Sequence, residues 1–474
     1  MTSFQFVQNR FGLGVRGDDP STAAAPARWL EQQFTAFRPE VAGIPRRAEV
    51  AGELADYLAE VRTGRADPAR LAGAAMSQAS MPTDQRQELR REARLAGRDT
   101  YIELVRARLV TALTTSTPFL ERMTHFWANH FAVSANKLTT IGLAGLLEFE
   151  AIRPNVLGTF GGMLAAVERH PAMLLYLDQA VSIGPDSMIG QRVAARGANR
   201  GLNENLAREI LELHTLGVRT GYSQADVTEF ARAMTGRTVA GLGRGQMQRL
   251  VTGAPGDFAF VEQLHEPGER TILGKRYGQR GADQADAVLA DLAVQPATAR
   301  HIATKLARHF AADTPPPAMV ARIERAFSDS RGDLPTVYRA VIASPEAWDP
   351  ANVKFKTPWE WTVSALRGLG LKDLPAKAGP ALLDQLGQPT WRPDSPAGFD
   401  DIAASWAGPD ALVRRVEVAE QLAARAAPTL DARALAPVLL GDALSAPTAQ
   451  AIARAESPAT ALALMLASPE FLRR

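Results

Sequence analysis

The sequence predicts a mainly α-helical protein, a multi-helix globular array with one small β-hairpin insert near residues 237–280. Three observations carry this reading. Apolar residues recur at helical spacing over Ala-rich stretches from about Pro20 to Leu113 and again from Asp283 onward. Between Arg237 and Gly281 the pattern changes to short apolar runs separated by glycine turns. No fixed-period repeat is present, which removes a solenoid.

Each element has a local reason. Asp84 to Leu113 reads as one long charged helix whose Arg and Glu residues make a solvated face. Thr117-Pro118 opens the next helix, because proline suits the first helical position. Val181 to Gly201 carries Gly, Pro, Ser and Asn without periodicity and reads as a loop leading onto a helix. Asn203 to Gly217 follows as that helix, with Leu206, Ile210 and Leu213 as its buried stripe. Ser223 and Asp226 form a capping box ahead of Val227, Phe230, Ala231 and Met234. Arg249–Thr252, Phe258–Gln263 and Thr271–Leu273 are the candidate strands. The expected organisation is a helical region over 1–115, a central helical region over 116–236, the β-rich insert over 237–281 and a helical region over 282–474.

Composition bounds the function. The 474 residues include 53 Lys plus Arg against 51 Asp plus Glu, a net charge of +2. Such a balance argues against nucleic acid, which needs Lys and Arg gathered on one surface. Zero cysteine removes disulfides, thiolate nucleophiles and Cys-ligated metals. No apolar run approaches the length of a membrane span, and Met1 to Pro20 lacks the pattern of a secretory signal. A soluble, cytoplasmic protein with no membrane partner is expected. Only seven of the basic residues are Lys, so Lys137, Lys275, Lys305, Lys354 and Lys356 stand out in an arginine-rich chain.

All seven histidines lie between His125 and His309. On a helix over Phe119 to Phe131, His130 projects from the apolar face of Phe119, Met123, Phe126 and Trp127. His125 points about 140° away, so the two cannot chelate one ion. A titratable ring on an apolar face must find a partner or stay neutral: a ligand or base, or a core histidine bonded to a carbonyl.

The densest polar motif runs from Asn203 to Gly217. Asn205, Glu209 and Glu212 share the flank of its apolar stripe, and Glu204, Arg208 and Glu212 form a row. Two carboxylates there suit a divalent cation or an acid and base pair; otherwise they are solvated Glu–Arg pairs. His301, Lys305, Arg308 and His309 share one face of a later helix, either its wet side or an anion site. His265, with Leu273-Gly274-Lys275, ends the β-rich insert on loops of the kind that carry ligand contacts. The late cluster of Trp348, Trp359, Trp361, Trp391 and Trp406 reads first as core. Phosphate-loop and nucleophile-elbow motifs are absent.

Asn9-Arg-Phe-Gly-Leu-Gly14, Phe126-Trp-Ala-Asn-His130-Phe and Asn203-Glu-Asn-Leu-Ala-Arg-Glu209 resemble the bacterial family known as domain of unknown function 1800. Tyr222 with Asp226, His265 with Lys275, His301 with Lys305, and Lys354 to Pro358 extend the resemblance over nearly the whole chain. It implies a mostly helical protein without a settled activity, and a sulfatase-like uncharacterised protein as partner. Ala128 stands where the family commonly has His, and His214 where many members have Phe. Many members carry an export signal that is not evident here.

The leading expectation is a metal-dependent or acid/base enzyme. Its site would lie between the His130 helix and the Glu204–Glu212 helix, with His130, Glu209, Glu212 and His265 as catalytic groups. A divalent metal would be held by His130, Glu209 and Glu212. Asn129, Asn203, Glu204, Asn205, Arg208, His214, Lys275 and Lys305 would contact substrate or orient those groups. The alternative is a non-catalytic helical scaffold or assembly partner, in which the Asn203–Glu212 motif is a buried polar network.

Overall fold

The computed structural model describes residues 3–17, 25–63, 83–195, 201–243 and 250–474. Among the described residues are 23 α-helices and two small antiparallel sheets of two strands each. The chain is mainly α with a β insert. None of these helices is long and apolar enough to cross a membrane.

The core has two parts. The larger is built mostly from residues between Val7 and Ala347 and centres on the Pro118–His130 helix, which is buried on nearly every side. The smaller is built from the Pro358–Gly368, Pro409–Ala426, Ala432–Leu440 and Pro458–Leu466 helices. Two segments belong to both. Val7 and Phe11 sit in the larger core while Leu13 and Val15 sit in the smaller. The Thr83–Thr114 helix places Tyr101, Leu104 and Val105 in the first and Leu109, Ala112 and Leu113 in the second. At about 1.5 Å per residue it is long enough to serve both, and its first half carries the solvated charges.

The β insert matches the glycine-punctuated stretch, with shifted strands. β1 (Arg237–Val239) pairs with β2 (Phe258–Phe260), Thr238 facing Ala259. β3 (Arg270–Ile272) pairs with β4 (Lys275–Tyr277). Leu273 and Gly274 between them both have positive φ, 51° and 74°, as a two-residue turn of the twist-compatible type requires. Leu273 is therefore turn and not strand. Arg249 lies outside the described residues and 250–252 form no strand; β2 takes β1 as its partner instead.

Two helical expectations also need correction. Within Val181–Gly201 a helix runs over Met188–Ala194, capped by the Ser187 side chain. It buries only Gly190 and so leaves no apolar stripe to read. Asn203–Gly217 is α-helical only over Asn205–Glu209 and continues as a π-helix over Ile210–His214. A π turn takes more residues than an α turn and rotates the face. Leu206, Ala207, Ile210, Leu211 and His214 are buried, and Leu213, expected in the stripe, is half-exposed. The capping box of Ser223 and Asp226 is present.

Where the chain passes from one core to the other, Gly14 has φ 95°, and a Cβ there would lie 2.9 Å from the Ser364 Cα. Gly14→Ala is expected to lower stability by about 1–3 kcal/mol through backbone strain alone. Gly17→Ala, with nothing within 4 Å of the new Cβ, should leave it nearly unchanged. Chemical unfolding of the two variants beside wild type checks the contrast.

Candidate functional site

A cavity of about 520 Å³ opens where the two cores meet. That is the size range of sites for small organic ligands. Its walls come from the last turns of the Pro118–His130 helix, the last turns of the Pro296–Phe310 helix, the start of the Pro358–Gly368 helix and the segment 388–402. Of the residues assigned to the expected site, Asn129, His130 and Lys305 line it, and so do Arg308 and His309 of the basic stripe.

His130 is 1% exposed. Its Nε2–H donates to the His214 carbonyl at 3.1 Å, and its Nδ1 accepts from Lys305 Nζ at 3.0 Å. Burial, then the nearby Lys305 charge, holds its pKa well below the ordinary histidine value, so the ring is neutral. The π turn explains the partner. Carbonyls at the end of that turn lack ordinary helical donors, and His130 and His301 supply them, His301 Nε2 donating to Leu213 O at 3.1 Å. Lys305 is half-buried at the cavity wall, and its pKa is pushed down to about 8 by desolvation.

Beside Lys305 on the same helix is His309. Its Nδ1–H donates to Asp401 Oδ2 at 2.7 Å, and its Nε2 faces Arg122 Nη1 at 3.3 Å. Burial lowers the His309 pKa against the pull of Asp401. Burial alone would raise the Asp401 carboxyl, but His309, Lys354 and Arg474 outweigh it and hold the group below its usual range. Lys354 Nζ bonds Asp313 Oδ1 at 2.5 Å and the Asp401 carbonyl at 2.6 Å.

Glu360 anchors the floor. It is the third helical residue of Pro358–Gly368 and reaches back to the Thr357 N–H in a capping box. The same carboxylate pairs with Arg122 and, at 2.8 Å, with Arg474 Nε. Those two guanidinium groups overcome burial and keep Glu360 ionised far into acid. Arg474 reaches the site because its backbone pairs with Lys354 in both directions, at 2.8 and 3.0 Å.

Aromatic rings complete the walls. Trp359 donates its Nε1–H to His125 Nδ1, Trp391 donates to Glu148, and the Arg108 guanidinium lies 4.1 Å from the Trp359 ring centroid. Of the tryptophans read first as core, Trp361 is fully buried while Trp359 and Trp391 line the cavity. Asn129 exchanges two hydrogen bonds of 2.8 Å with the Phe399 backbone and pins the 388–402 segment over the opening.

The other sequence-selected residues lie elsewhere. Glu209 and Glu212 do not line the cavity. Glu209 is half-buried, with its pKa raised by burial, and Glu212 bonds the Tyr222 hydroxyl. Asn203 holds the Leu177 and Asp178 carbonyls, and Glu204 accepts from Thr228, Gln224 and Arg208. Asn205 is exposed. His214 is buried and bonds Glu168 at 2.7 Å. His265 donates to the Thr235 carbonyl at 2.9 Å, and Lys275 pairs with Asp291 on the surface. Among the described residues no group of three or more His, Asp or Glu is placed to hold a metal ion, so His130, Glu209 and Glu212 are not gathered as ligands. The π turn rotates the Glu212 end away from the face that an α-helical reading assigns to it.

The sequence reading did not select Arg122, His125, Arg308, His309, Asp313, Glu360 or Asp401 as site residues. The basic stripe from His301 to His309 was the signal for two of them, and the Thr357–Glu360 spacing for a third. Asp401 and Arg474 sit in no recognisable pattern.

A helical protein with an ionic, aromatic-walled cavity at the junction of two cores is the class that this geometry defines. The chain belongs to the family described as Protein of unknown function (DUF1800), which it matches over residues 7–473. No curated protein and no solved structure matches it.

Replacing Glu360 by Gln keeps an oxygen for the Thr357 N–H but strips the buried Arg122 and Arg474 of their counter-charge. A loss of about 3–5 kcal/mol is expected near neutral pH. The folded-state pKa lies well below the ordinary glutamate value of 4.5, so this contribution is complete above that pH. It fades as acid protonates the folded carboxyl. The gap between wild type and variant in unfolding free energy across pH 3 to 7 should therefore be constant above about pH 4.5 and narrow toward the acid end.

Proposed function

We propose that this chain is an enzyme that acts by acid/base chemistry on a small molecule in the junction cavity. One observation carries the reading: an Asp-oriented histidine, His309 with Asp401, and a half-buried amine, Lys305, open onto the same space. Neutral His309 carries its proton on Nδ1, toward Asp401, which leaves Nε2 as the basic nitrogen, available to a ligand once it displaces the 3.3 Å contact with Arg122. A proton taken up there forms an imidazolium that Asp401 stabilises. Lys305, protonated near neutral pH, supplies the proton or the positive charge that the reacting group needs. His130 holds Lys305 in place through its Nδ1 lone pair. The site residues are thus His309, Asp401, Lys305 and His130, and the carboxylates Glu209 and Glu212 are left to the neighbouring helix surface.

A second reading has its own support. Asn203, Glu204 and Arg208 are spent on hydrogen bonds within the fold, as expected of a scaffold whose polar network sets helix register. Under that reading the chain assembles with a sulfatase-like protein, and a stoichiometric partner co-purifies with it.

The test is turnover across a panel of phosphate, carboxylate and acyl esters, with His309→Ala beside wild type. A loss of about 10²–10⁴-fold is expected for the variant. The pH profile should be a bell. Its acid limb falls below the ordinary histidine pKa of 6.5, where His309 gains a proton, and its alkaline limb lies at about 8, where Lys305 loses one. Lys305→Met should abolish the alkaline limb. Turnover unchanged in His309→Ala overturns the assignment.

A further inference from the structure

The charges around the cavity do not cancel locally, and what is left over inside it is positive. Glu360 is matched by Arg122 and Arg474, Asp401 by Lys354 and Arg474, Asp313 by Lys354, and Glu148 by Arg108. Two cations on the Pro296–Phe310 helix remain. Lys305 Nζ hydrogen-bonds only the neutral His130 ring, with the Asp401 charge acting on it from beyond ion-pair distance, and Arg308 bonds only the Asp313 carbonyl, through Nε at 3.3 Å. Among the described residues neither is in an ion pair with a carboxylate. They are three residues apart, hence neighbours on one helix face, and both line the cavity. The exposed carboxylate of Asp400 at the rim is bonded to Ser405. Across the same space stand the rings of Phe126, Trp359, Trp391 and Phe399.

A cation beside an apolar wall, without a carboxylate of its own, is stabilised by an anion that arrives with the ligand. We infer that Lys305 and Arg308 form the recognition site for an oxyanion, a carboxylate or phosphate, on a substrate whose apolar or aromatic body lies against those rings. Arg308 presents a planar fork suited to two oxygens of such a group, and Lys305 adds a point charge. This inference rests on the enzyme reading only for the cavity being a ligand site, and it names the substrate class.

Calorimetric titration of the full chain tests it with four probes: phenyl phosphate, 3-phenylpropionate, the neutral 3-phenylpropanamide and inorganic phosphate. An acid probe should bind at least about tenfold more tightly than the amide, because the cations then find a partner. The ratio of phenyl phosphate to phenylpropionate identifies the head group, and weak binding of inorganic phosphate shows that the body contributes. Arg308→Gln should lose tenfold or more for the preferred acid with no change for the amide, and Arg308→Lys should recover part of it. Thermal unfolding of both variants confirms that they are folded; Arg308 is half-buried and tolerates the change. An amide that binds as tightly as the acids, an Arg308→Gln variant with unchanged acid affinity, or no heat with any acid probe overturns the proposal. The two readings separate through His309→Ala, which should keep acid binding while losing turnover. Acid binding without any turnover removes the enzyme reading alone, and turnover without acid preference removes this inference alone.

Discussion

The buried carboxylate of Glu360, held between Arg122 and Arg474, is the constraint on which the rest of the site depends. Arg122 belongs to the central helix of the larger core and Glu360 to the first turn of a helix in the smaller one. Burying three charges is costly, and an apolar contact of the same volume would hold two cores together at least as well. What apolar packing would not supply is a fixed angle and register between them. The cluster does so through directional bonds, with Arg122 also donating to the Gly12 carbonyl at 2.6 Å and Arg474 to the His309 carbonyl at 2.7 Å. Because His309, Asp401 and Lys354 hang on the same arrangement, the geometry of the cavity is set by the junction itself.

The cavity has firm walls and one thin side. Its helices and tryptophans, Trp391 included, are locked by hydrogen bonds, whereas the stretch around Phe399 has little regular structure and is tied down by the amide of Asn129. Gly398 allows that tie. Its φ is 81°, and a Cβ would fall 2.3 Å from the Asn129 carbonyl oxygen. A side chain at this position would push the segment off the opening. Asn129, one residue from His130 and pointing another way, thus shapes access to the cavity.

Much of the fold was legible because helical periodicity and capping chemistry are local. The Thr83–Thr114 helix, the Ser223 capping box and the glycine-punctuated insert were all visible in the residues. What failed was local in a different sense. The π turn at Ile210–His214 leaves an apolar pattern close to that of an α-helix yet shifts which side chains are buried. The Met188–Ala194 helix has no buried stripe to announce it. The site was legible only in part, since His130 and Lys305 stood out by rarity and by face. Asp401 and Arg474 carry no pattern because their roles come from chain segments far apart in sequence. The polar motif at Asn203–Glu212 attracted attention by density, and its bonds turn out to hold neighbouring loops. Density of polar residues signals a network and says nothing of whether the network faces a cavity.

The paired backbones of Lys354 and Arg474 have a consequence for biosynthesis. Arg122 emerges from the ribosome long before Glu360, and Arg474 later still. Throughout translation the larger core can collapse around its central helix while that helix carries a guanidinium still waiting for its partner. Only when residue 474 clears the exit tunnel can the charge cluster close and the cavity take its shape. A nascent chain halted before residue 474 would carry Glu360 with only half of its counter-charge.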